Sequence, residues 1–135
     1  MISAKDRELI SFTKKVALKS VMPYRAGAVI IKGGRVIATG FNRASPASLK
    51  SDLYLPHSYI HAELDAILSV DKERVQGSIM AVFIYTKRSG RVAKSEPCAC
   101  CKKLLKEYGV REVLFCESTG EIRRAKVNDW DLLSG

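Results

Sequence analysis

Apolar positions along this chain fall into blocks with different periods. Near the N-terminus Leu9, Phe12 and Val16, with Ile10, Thr13 and Ala17, recur at steps of three and four, and the lysines fall mostly between them. That is the period of an amphipathic helix, and Ser3 is placed to cap it, so the pattern predicts a helix over about 3–20. Ala26-Gly27-Ala28-Val29-Ile30-Ile31 is apolar without a break, as in a strand buried on both faces. Lys32-Gly33-Gly34-Arg35 turns the chain, and residues 36–41 return, which predicts a Gly-Gly hairpin. Residues 42–59 are rich in Asn, Ser, Pro and Asp and read as a loop long enough to carry function. A second helix is predicted over about 59–70, with Ala62, Ala66 and Ile67 facing inward, and a core strand over 79–85. A basic, Gly-containing loop over 87–96 leads to Pro97, which opens a third helix lined by Leu104, Leu105 and Tyr108 and ended by Gly109. Residues 113–116 form another short strand. The tail over 120–135 carries Ala125, Val127, Trp130, Leu132 and Leu133 and fits either a strand or a helix. The order helix, hairpin, helix, strand, helix, strand predicts an α/β fold, a mixed sheet with helices on both faces.

Composition bounds what such a fold can be. At 135 residues, a single domain spanning 1–135 is expected. Apolar residues make up 47% and charged residues 27%, which describes a folded globular protein rather than a disordered chain. No apolar run approaches the roughly 20 residues of a membrane span, and charges come too early for a secretory leader. A cytoplasmic protein without a membrane partner is expected. The net charge is +9, concentrated in residues 5–50 and 74–106. Such a field favours anionic ligands, a nucleotide or a nucleic acid, although a merely solvated surface fits it equally well.

The candidate chemistry lies in two short stretches. One is His61-Ala62-Glu63, and the other is Pro97-Cys98-Ala99-Cys100-Cys101. Three of the four cysteines lie at 98, 100 and 101, which is poor spacing for disulfides and good spacing for a metal. His61 offers an imidazole, and Cys98 and Cys101 offer thiolates on one helical face. Three protein ligands leave the fourth tetrahedral position of a zinc ion open, which marks a catalytic rather than a structural site. Zinc so held makes hydroxide available near neutral pH. Glu63, beside the metal, is the candidate proton carrier, a residue that a structural site does not need. A closed structural site needs a fourth ligand, for which Cys100, Cys116 and His57 are the candidates. Cys100 also competes with Cys101 as the third ligand.

The pairing of H-x-E with P-C-x-x-C is the signature of zinc nucleobase deaminases. With Ala26-Gly27-Ala28-Val29-Ile30, Gly40-Phe41-Asn42 and Ile60-His61-Ala62-Glu63-Leu64-Asp65-Ala66-Ile67, residues 5–118 resemble the deoxycytidylate deaminase branch of the cytidine deaminase superfamily. The resemblance implies a three-layer α/β/α sandwich with a five-stranded mixed sheet. It implies zinc-dependent hydrolysis of the cytosine 4-amino group to give uracil and ammonia, and assembly into a homo-oligomer. It also implies that Asn42 contacts the substrate and that the backbone N–H groups of Ala62 and Cys98 address the base.

The chain departs from that branch at several points. Arg43 stands in place of a Gly, and the Gly-rich continuation tied to triphosphate control is missing. The ligands of a second, structural zinc are absent between 43 and 60, and Asp65 replaces a common Asn. Finally, the ten residues 87–96 intervene before Pro97. A free nucleotide, dCMP foremost, is the expected substrate, its phosphate met by Arg43, Lys87, Arg88, Arg91 or Lys94. The alternative is a deaminase of a base within tRNA or single-stranded DNA, on which Tyr54 and Tyr59 would stack. A zinc-stabilised interaction domain is a third, non-catalytic reading.

Overall fold

The structure is a computed structural model and describes residues 2–44 and 59–130. Its elements begin with helix α1 (Ala4–Ala17), strands β1 (Tyr24–Lys32), β2 (Arg35–Phe41), β3 (Arg43–Ala44) and β4 (Tyr59–Ile60), and helices α2 (Ala62–Leu68) and α3 (Lys72–Val75). Strands β5 (Ile79–Thr86) and β6 (Val92–Ala93), helix α4 (Ala99–Glu107), strands β7 (Glu112–Cys116) and β8 (Ile122–Lys126) and a 3-10 turn at Val127–Asp129 complete it.

The main sheet runs β2-β1-β5-β7-β8, with β6 added beside β5. Only β5 and β7 are parallel, so the sheet is mixed, as expected. Gly33 and Gly34 turn the first hairpin with φ of +60° and +76°, left-handed backbone values that glycine adopts readily and residues with a side chain rarely do. The α/β/α sandwich follows from which sheet residues face which helices. Ala28, Ile30, Met80, Val82, Val113 and Phe115 pack with Ala62, Ala66, Ile67, Leu104 and Leu105 from α2 and α4. Ala81, Phe83, Tyr85, Leu114 and Cys116 point the other way, onto Ile10 and Ala17 of α1. Neighbouring strand residues therefore alternate between two cores, which is why β1 and β5 read as unbroken apolar runs.

Two glycines let helices lie directly on the sheet. A Cβ at Gly27 would stand 2.6 Å from Ala17 N and Thr13 O of α1, and one at Gly40 would stand 2.3 Å from Ala66 N of α2. Helix α1 is capped as expected: Ser3 Oγ accepts from Asp6 N–H at 3.2 Å and Asp6 Oδ2 accepts from Ser3 N–H at 3.0 Å. It ends at Ala17, short of Ser20, whose hydroxyl instead donates to Asn42 O. Asp6 also pairs with Arg124 of β8 at 2.6 Å, and Arg124 pairs with Glu112 of β7 at 2.9 Å. The tail thus contributes an edge strand, with Val127 and Trp130 buried against the α4 side.

Three further boundaries differ from the sequence reading. Tyr59 and Ile60 are not helical but pair with Arg43 and Ala44, so the second helix starts only at Ala62. Pro97 precedes the third helix instead of opening it, because Cys98 keeps an extended ψ of 170° and is the N-cap. The basic stretch 87–96 is a hairpin tip that returns as β6. Among the described residues no helix is long and apolar enough to cross a membrane.

Candidate metal centre and active site

His61 and Cys98 are both N-cap residues, of α2 and α4 respectively. Cys101 lies three residues into the second of these helices, on the face that its N-cap shares. The two helix starts converge. His61 Nδ1 is 3.4 Å from Cys101 Sγ and 3.8 Å from Cys98 Sγ, and the three ligand atoms lie within 4.8 Å of one another. Tetrahedral zinc with bonds of about 2.0–2.3 Å spaces its ligand atoms by roughly 3.5–3.8 Å. One imidazole nitrogen and two thiol sulfurs at these separations fit a single zinc ion with one position left open. Cys100 is exposed and stands outside this group, so the structure selects Cys101.

The electrostatics suit a cation. The Cys98 thiol is pushed down to about 3 by hydrogen bonds from Cys101 and His61. Donation to Cys98 and burial push the Cys101 thiol up. The hydrogen bond to Cys98 raises the His61 imidazole, while burial opposes it. Glu63, in the first turn of α2, is 6% exposed. Burial pushes its carboxyl up, and its own backbone N–H and the His61 charge pull it down. A carboxyl buried beside the metal ligands and held above its ordinary value is suited to take up and release a proton.

His61, Glu63 and Cys98 open onto a cavity of about 450 Å³, within the range that takes a small ligand. Its reactive side is formed by His61, Ala62, Glu63 and Cys98; Met22, Pro23, Tyr24, Ala26 and Ile84 form an apolar side, and Asn42 and Glu96 also line it. Asn42 is 6% exposed, and its side chain spans the start of β1. Its Oδ1 accepts from Ala26 N–H at 2.8 Å, and its Nδ2 donates to Tyr24 O at 2.6 Å. It therefore shapes the wall as well as facing the cavity.

None of the five basic candidates is among the residues lining this cavity. Arg43 of β3 makes an ion pair of 2.7 Å with Asp65, whose other oxygen accepts Phe41 N–H of β2, so Asp65 ties both strands to α2. Lys94 bridges Glu96 and Glu117 at 3.4 and 3.6 Å. Lys87, Arg88 and Arg91 are exposed at the hairpin tip. The Lys87 N–H donates to Pro23 O at 2.9 Å, so the tip borders the apolar side of the cavity. Tyr54 and His57 fall outside the described residues, and only the backbone of Tyr59 is described, in β4. Glu96 and the apolar side were not foreseen from the sequence. Glu96 carries no motif signal except its place beside Pro97.

The family described as the cytidine and deoxycytidylate deaminase zinc-binding region matches residues 3–117. No curated protein matches the chain. Among solved structures, cytidine deaminase from Burkholderia pseudomallei is similar with a TM-score of 0.66 at 23% identity, covering 91% of this chain and 93% of its own. Cytidine deaminase from Mycobacterium tuberculosis gives 0.59 at 21% identity, covering 95% and 94%. The apo form of dCMP deaminase from the cyanophage S-TIM5 gives 0.58 at 22% identity, covering 82% of each chain. These three likenesses are of fold.

Proposed function

Since the chain belongs to the cytidine and deoxycytidylate deaminase zinc-binding family, we propose that residues 1–135 act as one catalytic domain that deaminates the cytosine of a (deoxy)cytidine nucleotide, dCMP foremost. Water replaces the 4-amino group, giving uracil and ammonia. The observation that carries this reading is the buried Glu63 carboxyl in the same cavity wall as His61 and Cys98.

His61, Cys98 and Cys101 would hold the zinc ion. When bound, zinc supplies the Lewis acidity that makes water a nucleophile near neutral pH. Glu63 would take one proton from the attacking water and deliver it to the ring nitrogen beside the amine-bearing carbon, then move the remaining proton of the added hydroxyl to the amine, which leaves as ammonia while the carbonyl forms. Ala62 is the first residue of α2, where the N–H has no intrahelical acceptor, and it addresses the base together with the Cys98 N–H. The apolar side strips water from the ring.

Support for a phosphorylated substrate is electrostatic. The net charge is +9, and the tip carrying Lys87, Arg88 and Arg91 is tied to Pro23 at the cavity. Arg43 and Lys94 are held by carboxylates and are secondary candidates. Assembly into a homo-oligomer is part of the same proposal.

Ammonia release from zinc-loaded protein tests it, with dCMP, CMP, deoxycytidine, cytidine, tRNA and single-stranded DNA as substrates. Turnover of dCMP above deoxycytidine is expected, with the difference reduced when Lys87, Arg88 and Arg91 become Ala. Turnover of tRNA or DNA with none of the small substrates overturns the reading.

A further inference from the structure

The parallel pairing of β5 with β7 reaches only as far as Ala81 and Leu114. Three residues later β5 pairs with β6 instead, at Ile84 and Ala93. The two parallel strands therefore part, and the chain leaving β6 enters the opening. Ser95 fills it. This residue has no exposed surface, and its hydroxyl donates to Val82 O of β5 at 2.8 Å. The same Oγ accepts from Cys116 N–H of β7 at 2.8 Å, and the Ser95 N–H donates to Cys116 O at 2.9 Å. One residue thus satisfies polar groups of both strands where their ladder has stopped.

The metal ligand Cys98 follows three residues on. Between them Glu96 is held at 2.5 Å by Lys102, the residue after Cys101. Pro97 is buried and fixes its own φ. This segment has little slack, so a displacement of Ser95 passes directly to the Cys98 sulfur. We propose that Ser95 is a positioning residue for the metal centre, whose hydroxyl sets where Cys98 stands relative to His61 and Cys101. The proposal rests on the reading of those three side chains as the zinc ligands.

The test measures zinc affinity of the full chain by chelator competition, and the thiolate-to-metal absorption band of the cobalt-loaded protein. Ser95→Ala is expected to weaken zinc by about 10–100-fold, as loss of a partner behind a ligand commonly does, and to alter the cobalt band. Ser78→Ala is the control, since Ser78 is equally buried and its hydroxyl has no hydrogen-bond partner among the described residues. It is expected to leave both readouts at the wild-type level. Ser95→Thr and Ser95→Val differ only in hydroxyl against methyl, and Thr is expected to bind zinc at least about tenfold more tightly than Val. Wild-type affinity and an unaltered band in Ser95→Ala overturn the proposal, as does equal affinity in the Thr and Val variants. A Val variant that stays unfolded in excess zinc while Thr folds assigns Ser95 to the fold alone, and also overturns it. If the wild type binds no zinc, the reading of the ligands falls and this proposal falls with it. If the wild type binds zinc and Ser95→Ala matches it, only this proposal falls.

Discussion

Replacing Gly40 by Ala puts one methyl group between β2 and the helix that carries Glu63. The added Cβ would meet Ala66 N at 2.3 Å and Ala62 O at 2.5 Å, both of them backbone atoms of α2. No side chain can swing aside, so α2 must retreat by about 1 Å to restore even a tight van der Waals contact. Overpacking of this kind costs about 1–3 kcal/mol, and in a domain of this size that is a melting-temperature loss of roughly 4–12 °C. Gly27→Ala is the matched comparison. Its Cβ would meet Ala17 N and Thr13 O at 2.6 Å, but on α1, which carries no ligand or proton carrier. Both variants are expected to melt earlier by similar amounts. Only Gly40→Ala moves His61 and Glu63, and a misplacement of about 1 Å costs on the order of 100-fold in rate. Thermal melts with and without zinc, together with kcat at a temperature where both variants are fully folded, separate the two effects. A Gly40→Ala protein that melts within about 2 °C of wild type refutes the packing argument. Equal loss of kcat in the two variants refutes the link from this glycine to the site.

Other outcomes follow from the geometry. Glu63→Gln is expected to keep stoichiometric zinc by metal analysis while kcat falls by at least about 100-fold, since a carboxamide cannot carry the proton. Cys98→Ser and Cys101→Ser are expected to lose zinc, whereas Cys100→Ser keeps it, because the Cys100 thiol stands outside the cluster. Chelation of the metal is expected to lower the melting temperature, and added zinc to restore it. Burial pushes the Asp6 carboxyl up, but the hydrogen bond from Ser3 N–H and the Arg124 charge outweigh it and hold it below its ordinary value. A depressed carboxyl contributes stability above its unfolded pKa of about 3.9 and loses it as pH falls through the folded value. Asp6→Asn should therefore be less stable than wild type at pH 7, with the gap in urea midpoint closing in acid. A constant gap across pH would show that the ion pair is not its source.

The sequence made some of this legible and hid the rest for physical reasons. Gly33-Gly34 between two apolar runs specifies a hairpin locally, and the structure has that hairpin. The mixed sheet with helices on both faces also follows from the element order. His61, Cys98 and Cys101 announce themselves because few residue types bind zinc, and the structure gathers them. Helix α3 and strand β6 escaped notice because four and two residues are too short to show any period. Strand β8 reads Ile-Arg-Arg-Ala-Lys, an exposed edge with too little apolar alternation to identify it. Tyr59 and Ile60 read as helix because nothing local opposes it, and their pairing with Arg43 and Ala44 is a distant partner's choice. Ser95 is a lone serine between Lys94 and Glu96. What distinguishes it lies 13 residues back, at Val82, and 21 residues on, at Cys116.

The bond between Asp6 and Arg124 spans 118 residues of chain, and it sets a condition on how the protein is made. During synthesis α1 emerges well before the side chain that fixes its first turn to the sheet, which follows 118 residues later. Until then α1 can coil and rest on β1, but its N-terminal end has no anchor. A chain cut before β8 would present that loose end together with the bare edge of β7, an open invitation to pair with another unfinished copy. Strand β8, the least apolar of the sheet, thus acts as the clasp that closes the fold.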